Sequence, residues 1–258
     1  MKRILKAALP PAVLFVLVIA AWHFGVVAFG IKAFLVPKPS GVWQATVENR
    51  SELLTAIGLT AAAAMCGFAS SLLIGSLTAC LFSQSKMIRS SCYPYAIFLQ
   101  TVPIVAVAPI IVVWFGAGFH SVVLVSFMIS LFPIVTNVTS GMLAVDPDLL
   151  DLFRLSRASR WQVLWKLRLP HSVPFLIAGA RTSSGMAVVG AIVGEFFAGN
   201  LAERHGLGYM ILQGTQFSTA KLFAAVIAST LLGITIFGAS TFAGSTVLGR
   251  WSDPKGRR

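Results

Sequence analysis

Long apolar stretches alternate with short polar stretches along the whole chain. Each apolar stretch is long enough to cross a hydrocarbon core of about 30 Å as a helix. The pattern therefore predicts an all-α protein, a polytopic membrane helical bundle with about six transmembrane helices. The predicted spans cover residues 10–30, 56–82, 93–115, 121–144, 173–199 and 222–248. The predicted connections are Ile31–Thr55, Ser83–Cys92, Gly116–His120, Val145–Ser172 and Asn200–Lys221.

The composition supports a membrane protein. The chain of 258 residues is 57% hydrophobic and 11% charged, whereas soluble domains have about 25% charged residues. The basic N-terminus and the apolar stretch behind it also resemble a signal peptide. However, the apolar character continues to about Phe29 without a clear small-x-small cleavage site. We therefore expect an uncleaved first span rather than a removed signal.

Basic residues predict the orientation. With the N-terminus inside, fourteen of the twenty Lys and Arg residues lie in inner segments and five in outer segments, and Arg181 lies within a span. The positive-inside rule then places both termini in the cytoplasm. The net charge of +12 does not indicate nucleic-acid binding, because the basic residues lie between apolar stretches and form no basic face on a soluble domain.

Small residues and prolines predict how the helices pack. Small residues recur at every fourth position in two spans, which lets helix backbones approach closely. In the second span they are Gly67, Ser71, Gly75 and Ala79, and in the fifth they are Gly190, Gly194 and Ala198. Pro94, Pro103 and Pro109 each remove a backbone donor from the third span, so we expect that span to be kinked or broken. Irregular backbone at membrane depth is tolerated only against protein or a watery cavity.

A charged segment, residues 146–172, separates the fourth span from the fifth. Asp146 followed by Pro147 is a strong helix start, because the carboxylate caps free amides and proline needs no partner at the first helical position. Asp151 and Arg154 stand three residues apart and can pair on the polar side of this helix. The charge asymmetry places the segment in the cytoplasm.

A second helix is predicted within the same segment. Ser159 and Gln162 have the spacing of a capping box, Trp161 and Leu167 contribute to an apolar side, and Pro170 is expected to end the helix. The segment is thus a helix, a turn and a helix with an apolar and a cationic side. From periodicity alone, an amphipathic element lying at the lipid headgroups is an equally good interpretation.

The charged segment carries a set of residues in a fixed register. They are Asp151, Leu152, Phe153, Arg157, Leu167, Leu169 and Pro170. Their register resembles the cytoplasmic signature E-A-A-x3-G-x9-I-x-L-P of importer permeases of the ATP-binding-cassette (ABC) superfamily. Only the final Leu-Pro is identical, and Arg157 stands where the signature has Gly.

The resemblance extends from about Leu53 to Gly249. The stretches TVPIVAVAPIIVVWFGAGFHS, LPHSVPFLIAGARTSSGMAVVGAIVGEFF and GLGYMI are similar to the nitrate/sulfonate/taurine branch, which also includes permeases for pyrimidine precursors. The implied domains are an N-terminal tail, first helix and external loop (1–52), an ABC permease transmembrane domain (53–249) and a basic cytoplasmic tail (250–258).

The resemblance implies a permease subunit in the bacterial inner membrane. In such importers the two-helix segment docks into a groove on a separate cytoplasmic ATPase subunit, whose ATP-driven closure rocks the spans. The implied coupling residues are Asp151, Leu152, Phe153, Arg154, Arg157, Trp161, Leu167, Leu169 and Pro170. The other implied partners are a second permease copy, as a homodimer, an external substrate-binding protein and the lipid bilayer. ATP is expected on the ATPase, with no cofactor or metal on this chain.

Arg157 raises a question about the turn between the two helices. A Gly at this position adopts a left-handed conformation freely, whereas a side chain there costs about 1–2 kcal/mol. Either the turn differs from the family's, or Arg157 makes a compensating contact with the ATPase.

Arg181 and Glu195 are the only Arg, Lys, Asp or Glu residues within the predicted spans. Fourteen residues apart on one helix, they lie on nearly the same face but about 21 Å apart along the axis, so they cannot bridge each other. We expect each to find water, backbone carbonyls or a second permease copy. Intramembrane charge usually marks function, so they either line the translocation path or are structural charges that snorkel towards opposite surfaces.

Other function classes find less support in the sequence. The chain has no Gly-x4-Gly-Lys-Ser/Thr phosphate loop, so we do not expect it to bind or hydrolyse ATP. A secondary transporter or channel working without an ATPase would have repeat symmetry and more midplane ionisable groups. A membrane-embedded enzyme would have clustered His, Asp or Glu residues. The solute remains open among nitrate, sulfonates, taurine and thiamine-type pyrimidines.

Overall fold

The computed structural model describes residues 2–198 and 205–251, and within these ranges the chain forms helices and no strand. The helices are α1 (Lys2–Ala28), α2 (Pro39–Glu48), α3 (Arg50–Gln84), α4 (Lys86–Thr101), α5 (Ile104–Phe115), α6 (Phe119–Leu143), α7 (Pro147–Leu155), α8 (Arg160–Val163), α9 (Leu169–Ala198), α10 (Leu207–Phe217) and α11 (Thr219–Trp251). A π-helical segment, Leu164–Arg168, joins α8 to α9. The predicted all-α fold class is confirmed. Most of the predicted basic tail, residues 252–258, lies outside the described ranges.

Among the described residues, five helices are long and apolar enough to cross a membrane. They are Leu9–Ala28, Arg50–Gln84, Phe119–Leu143, Arg160–Ala198 and Thr219–Gly249. Five of the six predicted spans therefore correspond to single long helices. α1 packs at the edge of the bundle, where Trp22 stacks on Phe223 of α11 with ring centroids 5.8 Å apart, and most of its apolar surface is exposed.

The third predicted span is not one helix. α4 and α5 are separated at Val102 and Pro103, which both have extended backbone. Because a proline disfavours helical backbone at the residue before it, Val102 leaves the helix, and Pro103 is the cap residue before α5. The expectation of a break is confirmed at Pro103, whereas Pro94 and Pro109 lie inside α4 and α5.

Several predicted connections contain helices. α2 lies within the predicted connection Ile31–Thr55, and α10 lies within Asn200–Lys221. α4 begins inside the predicted connection Ser83–Cys92, where the Ser85 hydroxyl caps it by accepting the N–H of Ile88 at 3.3 Å. The predicted boundaries were wrong here because they rested on the length of the apolar stretches alone. That criterion misses short amphipathic helices and helix ends that extend beyond the hydrocarbon core.

The expectation that Pro170 ends its helix was also wrong. α8, the π-helical segment and α9 form one helix from Arg160 to Ala198, called the long helix below. A proline inside a regular α-helix clashes with the carbonyl four residues earlier. Here the N–H of Leu169 donates to the carbonyl of Leu164, five residues earlier. The wider π turn makes room for the proline ring, so the helix continues through it.

α6 lies between α3 and α9 and packs most extensively against both. The contacts are so close that a methyl group built on Gly67 would lie 2.4 Å from Ser126 Oγ, and one on Gly190 would lie 2.6 Å from Ser126 Cα. Both predicted series of small residues are buried, as expected for close packing. Buried hydroxyls reinforce the contact, because Ser126 donates to the carbonyl of Ala187 at 2.8 Å and Ser183 donates to that of Ser130 at 2.6 Å.

This packing predicts the effect of a single added methyl group. Gly190→Ala should destabilise the bundle by about 1–3 kcal/mol, because the methyl group meets backbone that cannot rotate away. Gly185→Ala on the same helix is the matched control, since nothing lies within 4 Å of its added carbon. It should be neutral or stabilising by up to about 1 kcal/mol. Thermal unfolding of the purified variants in detergent measures both, and equal midpoints would contradict the expectation.

Candidate functional site

The charged segment begins with the predicted capped helix. The carboxylate of Asp146 accepts the N–H of Asp148 at 2.9 Å, and α7 starts at Pro147. Arg154 pairs with Asp151 at 2.7 Å, and both side chains are mostly exposed. These local predictions are confirmed. An exposed pair of this kind contributes little stability, so it does not by itself hold the segment in place.

The turn after α7 is a helix-ending motif with Arg157 in the left-handed conformation. Its φ is 53°, its N–H donates to the carbonyl of Arg154, and the N–H of Ala158 donates to the carbonyl of Phe153. These two bonds define the Schellman motif, in which glycine usually occupies the left-handed position. The first alternative, a different turn, is therefore wrong. Arg157 bears a conformational cost of about 1–2 kcal/mol, and a compensating contact remains a prediction.

The second half of the segment is attached to the bundle. The predicted capping box is present, with Ser159 and Gln162 each accepting the other's backbone N–H. Leu164 is buried in an apolar cluster formed with α3 and α6. Arg168 donates to the carbonyl of Ser83 at the end of α3. The base of the segment is thus part of the core.

The remaining surface of the segment exposes large apolar side chains. They are Leu149, Leu152, Leu155, Trp161 and Trp165, with Leu155 83% and Trp161 67% exposed. Of the predicted coupling residues, Asp151, Leu152, Arg154, Arg157 and Trp161 are exposed, whereas Phe153, Leu167, Leu169 and Pro170 are half-buried. Exposed apolar clusters rimmed by charges mark interaction surfaces. We call this set of five exposed apolar side chains the apolar docking surface.

The break between α4 and α5 lines a cavity of about 460 Å³. Its walls are the break itself, α6 through Met128 and Phe132, and α9 through Met186. Gln100 and Thr101 are the polar side chains among the lining residues, and none of the lining residues is charged. Irregular backbone at membrane depth occurs where it lines a cavity, and discontinuous helices mark solute sites in transporters.

Glu195 is 5% exposed and is held by two other helices. The hydroxyl of Thr60 on α3 donates to both carboxylate oxygens, at 2.8 and 3.0 Å. The N–H of Gly208 in the first turn of α10 donates to Oε2 at 2.7 Å. The N–H of Leu207 donates to Thr60 Oγ1 at 2.9 Å. The carboxylate therefore joins α9, α3 and the N-terminus of α10, where the helix dipole favours negative charge.

Two glycines make this approach possible. A methyl group built on Gly206 would lie 2.0 Å from Glu195 Oε1, and one on Gly208 would lie 2.5 Å from the carbonyl of Ile192.

The expectation that Glu195 would need water, backbone carbonyls or a second copy was wrong, because a hydroxyl and a backbone amide of its own chain satisfy it. The Gly-Leu-Gly stretch was noted in the sequence, but its pairing with Thr60 carries no sequence signal.

Arg181 lies in a different environment from Glu195. The two charges make no ion pair, as their separation along one helix requires. Arg181 is half-buried, and a methyl group built on Gly244 of α11 would lie 3.7 Å from its Nε. That nitrogen is buried without a hydrogen-bond partner. The structure therefore does not bring the two predicted path residues together.

The network around Glu195 predicts a large effect of removing its carboxylate. Glu195→Ala should lower the free energy of unfolding by about 2–4 kcal/mol, because it leaves buried donors without an acceptor. Glu195→Gln should cost less, since its amide oxygen still accepts from Gly208. Glu48→Ala removes an exposed carboxylate and should change stability by less than about 0.5 kcal/mol. Chemical unfolding followed by fluorescence distinguishes these variants; a Glu195→Ala protein as stable as wild type would refute the network's importance.

Comparison with known proteins gives a consistent result. A family described as "Binding-protein-dependent transport system inner membrane component" matches residues 71–247. The formylaminopyrimidine transport permease protein of Halalkalibacterium halodurans is 32% identical over 92% of this chain and 93% of its own length. The riboflavin transport system permease protein of Chloroflexus aurantiacus is 34% identical, covering 89% of this chain and 85% of that protein.

Two further similarities extend this set. A putative aliphatic sulfonates transport permease protein of Bacillus subtilis is 30% identical over 89% of this chain and 81% of its own length. Among solved structures, the inward-facing MetNI methionine ABC transporter is similar with a TM-score of 0.66 and 16% identity, covering 80% of this chain and 98% of that chain. At that identity the structural similarity supports the fold alone.

Proposed function

The chain belongs to the family of binding-protein-dependent transport system inner membrane components, and we propose that its charged segment, residues 146–172, docks the ATPase subunits that drive transport. As a family member, the chain is a multi-pass inner-membrane permease subunit of an ABC importer. One observation supports the docking proposal most directly: the apolar docking surface is exposed on a segment whose base is buried in the bundle.

The chemistry of the surface fits a protein groove. Short helices that present leucine and tryptophan anchors bind by inserting them into an apolar groove on a partner. Central aromatic anchors of this kind carry most of the binding energy in an interface. Basic residues around the surface, Arg154, Arg157 and Arg160, would pair with an acidic rim. Arg157 then contacts the ATPase, which would offset the cost of its left-handed backbone.

The remaining partners follow from the same proposal. ATP binds to and is hydrolysed by the ATPase subunits, and this chain contributes no catalytic residue. Two copies of the permease form a homodimer, and an external binding protein delivers the solute. Docking to a cytoplasmic ATPase implies that the charged segment lies in the cytoplasm, and if α4 and α5 together cross the membrane once, both termini lie there as well. The path role proposed for Arg181 and Glu195 remains a prediction, and the burial of Glu195 favours a structural role for that residue.

The cavity at the α4–α5 break is our candidate for part of the solute path. Its neutral, apolar walls with one amide and one hydroxyl suit an uncharged, flat heterocycle of the pyrimidine-precursor class. A sulfonate or nitrate would lose its hydration there without gaining a compensating cation. The names of two relatives specify formylaminopyrimidine and riboflavin transport, both flat and uncharged heterocycles, whereas a third relative's name specifies aliphatic sulfonates.

Affinity co-purification from membranes tests the docking proposal. Replacing Leu152 and Trp161 together by Gln should reduce recovery of the ATPase by about tenfold or more, because each central apolar anchor contributes about 2 kcal/mol. Replacing Leu54 and Trp43 by Gln is the matched control, since both are exposed on other helices. Unchanged recovery from the first variant, with its thermal stability intact, would instead favour a segment that lies at the lipid headgroups.

A variant at Arg157 tests the turn in the same assay. Arg157→Gly should raise thermal stability by about 1 kcal/mol by relieving the left-handed backbone, while ATPase recovery falls because the proposed contact is lost. Recovery that rises together with stability would mean that Arg157 makes no contact with the ATPase.

Uptake into proteoliposomes reconstituted with the ATPase and binding protein tests the cavity. Met186→Trp should abolish uptake of labelled formylaminopyrimidine by filling the cavity, with ATPase recovery unchanged. Leu231→Trp adds similar bulk on an exposed face of α11 and should leave uptake intact. Unlabelled taurine should not compete in the wild type; competition by taurine equal to that of unlabelled formylaminopyrimidine would exclude the proposed solute class.

A further inference from the structure

A second cleft, of about 550 Å³, lies between α3, α9 and α11. It lies on a different side of α9 from the break cavity, and no lining residue is shared by the two. Its walls are almost entirely apolar, with Phe68 from α3, Leu176 and Ile177 from α9, and Val247 from α11. None of the lining residues carries an acidic or basic side chain. The solute path and the docking surface make no use of this cleft.

Arg181 supplies a charge beside this apolar cleft. It directly follows the lining residue Ala180, and its Nε lies beside Gly244, which also lines the cleft. Its side chain makes no hydrogen bond or ion pair with any residue in the described ranges. The side chain is half-buried, with its Nε enclosed and unpaired, and a cation without an anion is costly at membrane depth. The site therefore combines an unneutralised cation with an apolar groove.

The position of the guanidinium identifies the leaflet that it faces. Side chains on a helix tilt towards its N-terminus, and the long helix begins in the charged segment. Arg181 is therefore directed towards the side of the membrane where that segment lies. The cleft also lies in this half, because its α9 walls run from Val173 to Ala180 and its α11 walls reach Val247. The assignment of this side as cytoplasmic rests on the proposed ATPase docking.

We propose that the cleft between α3, α9 and α11 binds one anionic phospholipid of the cytoplasmic leaflet. The acyl chain occupies the apolar groove, and the headgroup phosphate pairs with Arg181. Basic positions between transmembrane helices on the cytoplasmic side recognise anionic headgroups in this way. A phosphate provides the charge that Arg181 lacks within the chain, and the acyl chain covers apolar walls that no described residue fills.

The bound lipid contacts α3, α11 and the long helix, the three elements that line the cleft. At the edge of the cleft α11 contacts α9 directly, since a methyl group built on Gly244 would lie 2.4 Å from Ile177 Cγ2.

Native mass spectrometry of the full-length permease tests the proposal. The protein is equilibrated in detergent with equal amounts of phosphatidylglycerol and phosphatidylcholine that have identical acyl chains. Wild type should retain about five times more phosphatidylglycerol than phosphatidylcholine, as expected for one basic residue at an anionic headgroup. Arg181→Gln should retain the two lipids equally, and Arg181→Lys should keep the preference. Arg50→Gln, which removes an exposed charge at the other end of α3, should behave as wild type.

A second variant tests the groove without altering the charge. Ala243→Phe places a ring in the cleft and should reduce retention of both lipids while Arg181 is intact. An unchanged preference in Arg181→Gln, or unchanged retention in Ala243→Phe, would overturn the proposal. If Ala243→Phe instead converts a dimer to a monomer, the occupant is a second copy of this chain and the lipid site is refuted. These readouts do not involve the ATPase, so failure here and failure of the docking proposal are distinguishable.

Discussion

The close approach of α6 to α3 and α9 is the contact on which the rest of the structure depends. Lipid tails are as apolar as leucine, so helices in a membrane gain little by hiding apolar side chains from their surroundings. Their attraction comes from dense packing, which falls off steeply with separation. Gly67 and Gly190 bring two backbones onto Ser126 from opposite sides, and buried serine hydroxyls add hydrogen bonds at the same level. α6 thereby becomes the fixed element around which α3 and α9 are arranged.

The other functional features are attached to this centre at different heights along the long helix. At one end, Leu164 fixes the charged segment to the cluster around α3 and α6. At the other, Glu195 holds the N-terminus of α10 and Thr60 of α3. The break cavity and the apolar cleft occupy different sides of the helix between these two attachments. The long helix therefore takes part in every proposed site, whereas no described residue of α1 lines either cavity.

The fold class, the spacing of small residues and the caps of α7 and α8 could be predicted, because each is a local pattern whose physical cause lies within a few residues. The effects of the prolines on the helices could not be predicted. Pro103 breaks a helix, whereas Pro170 is absorbed by a π turn, and the choice depends on which neighbouring helices and cavities receive the displaced backbone groups. The partners of Glu195 were similarly unpredictable, since Thr60 lies 135 residues away. Nothing in the sequence around a threonine indicates that its hydroxyl will meet a distant carboxylate.

The absorption of Pro170 has a mechanical consequence. Had the proline ended the helix, a flexible joint would separate the charged segment from the membrane, and movement of one would be lost before reaching the other. Instead, 39 residues form one uninterrupted helix, with a contour of about 58 Å at 1.5 Å per residue. The π turn thus keeps the charged segment and Glu195 on one helix, so that no loop separates the proposed docking element from the carboxylate that holds α10.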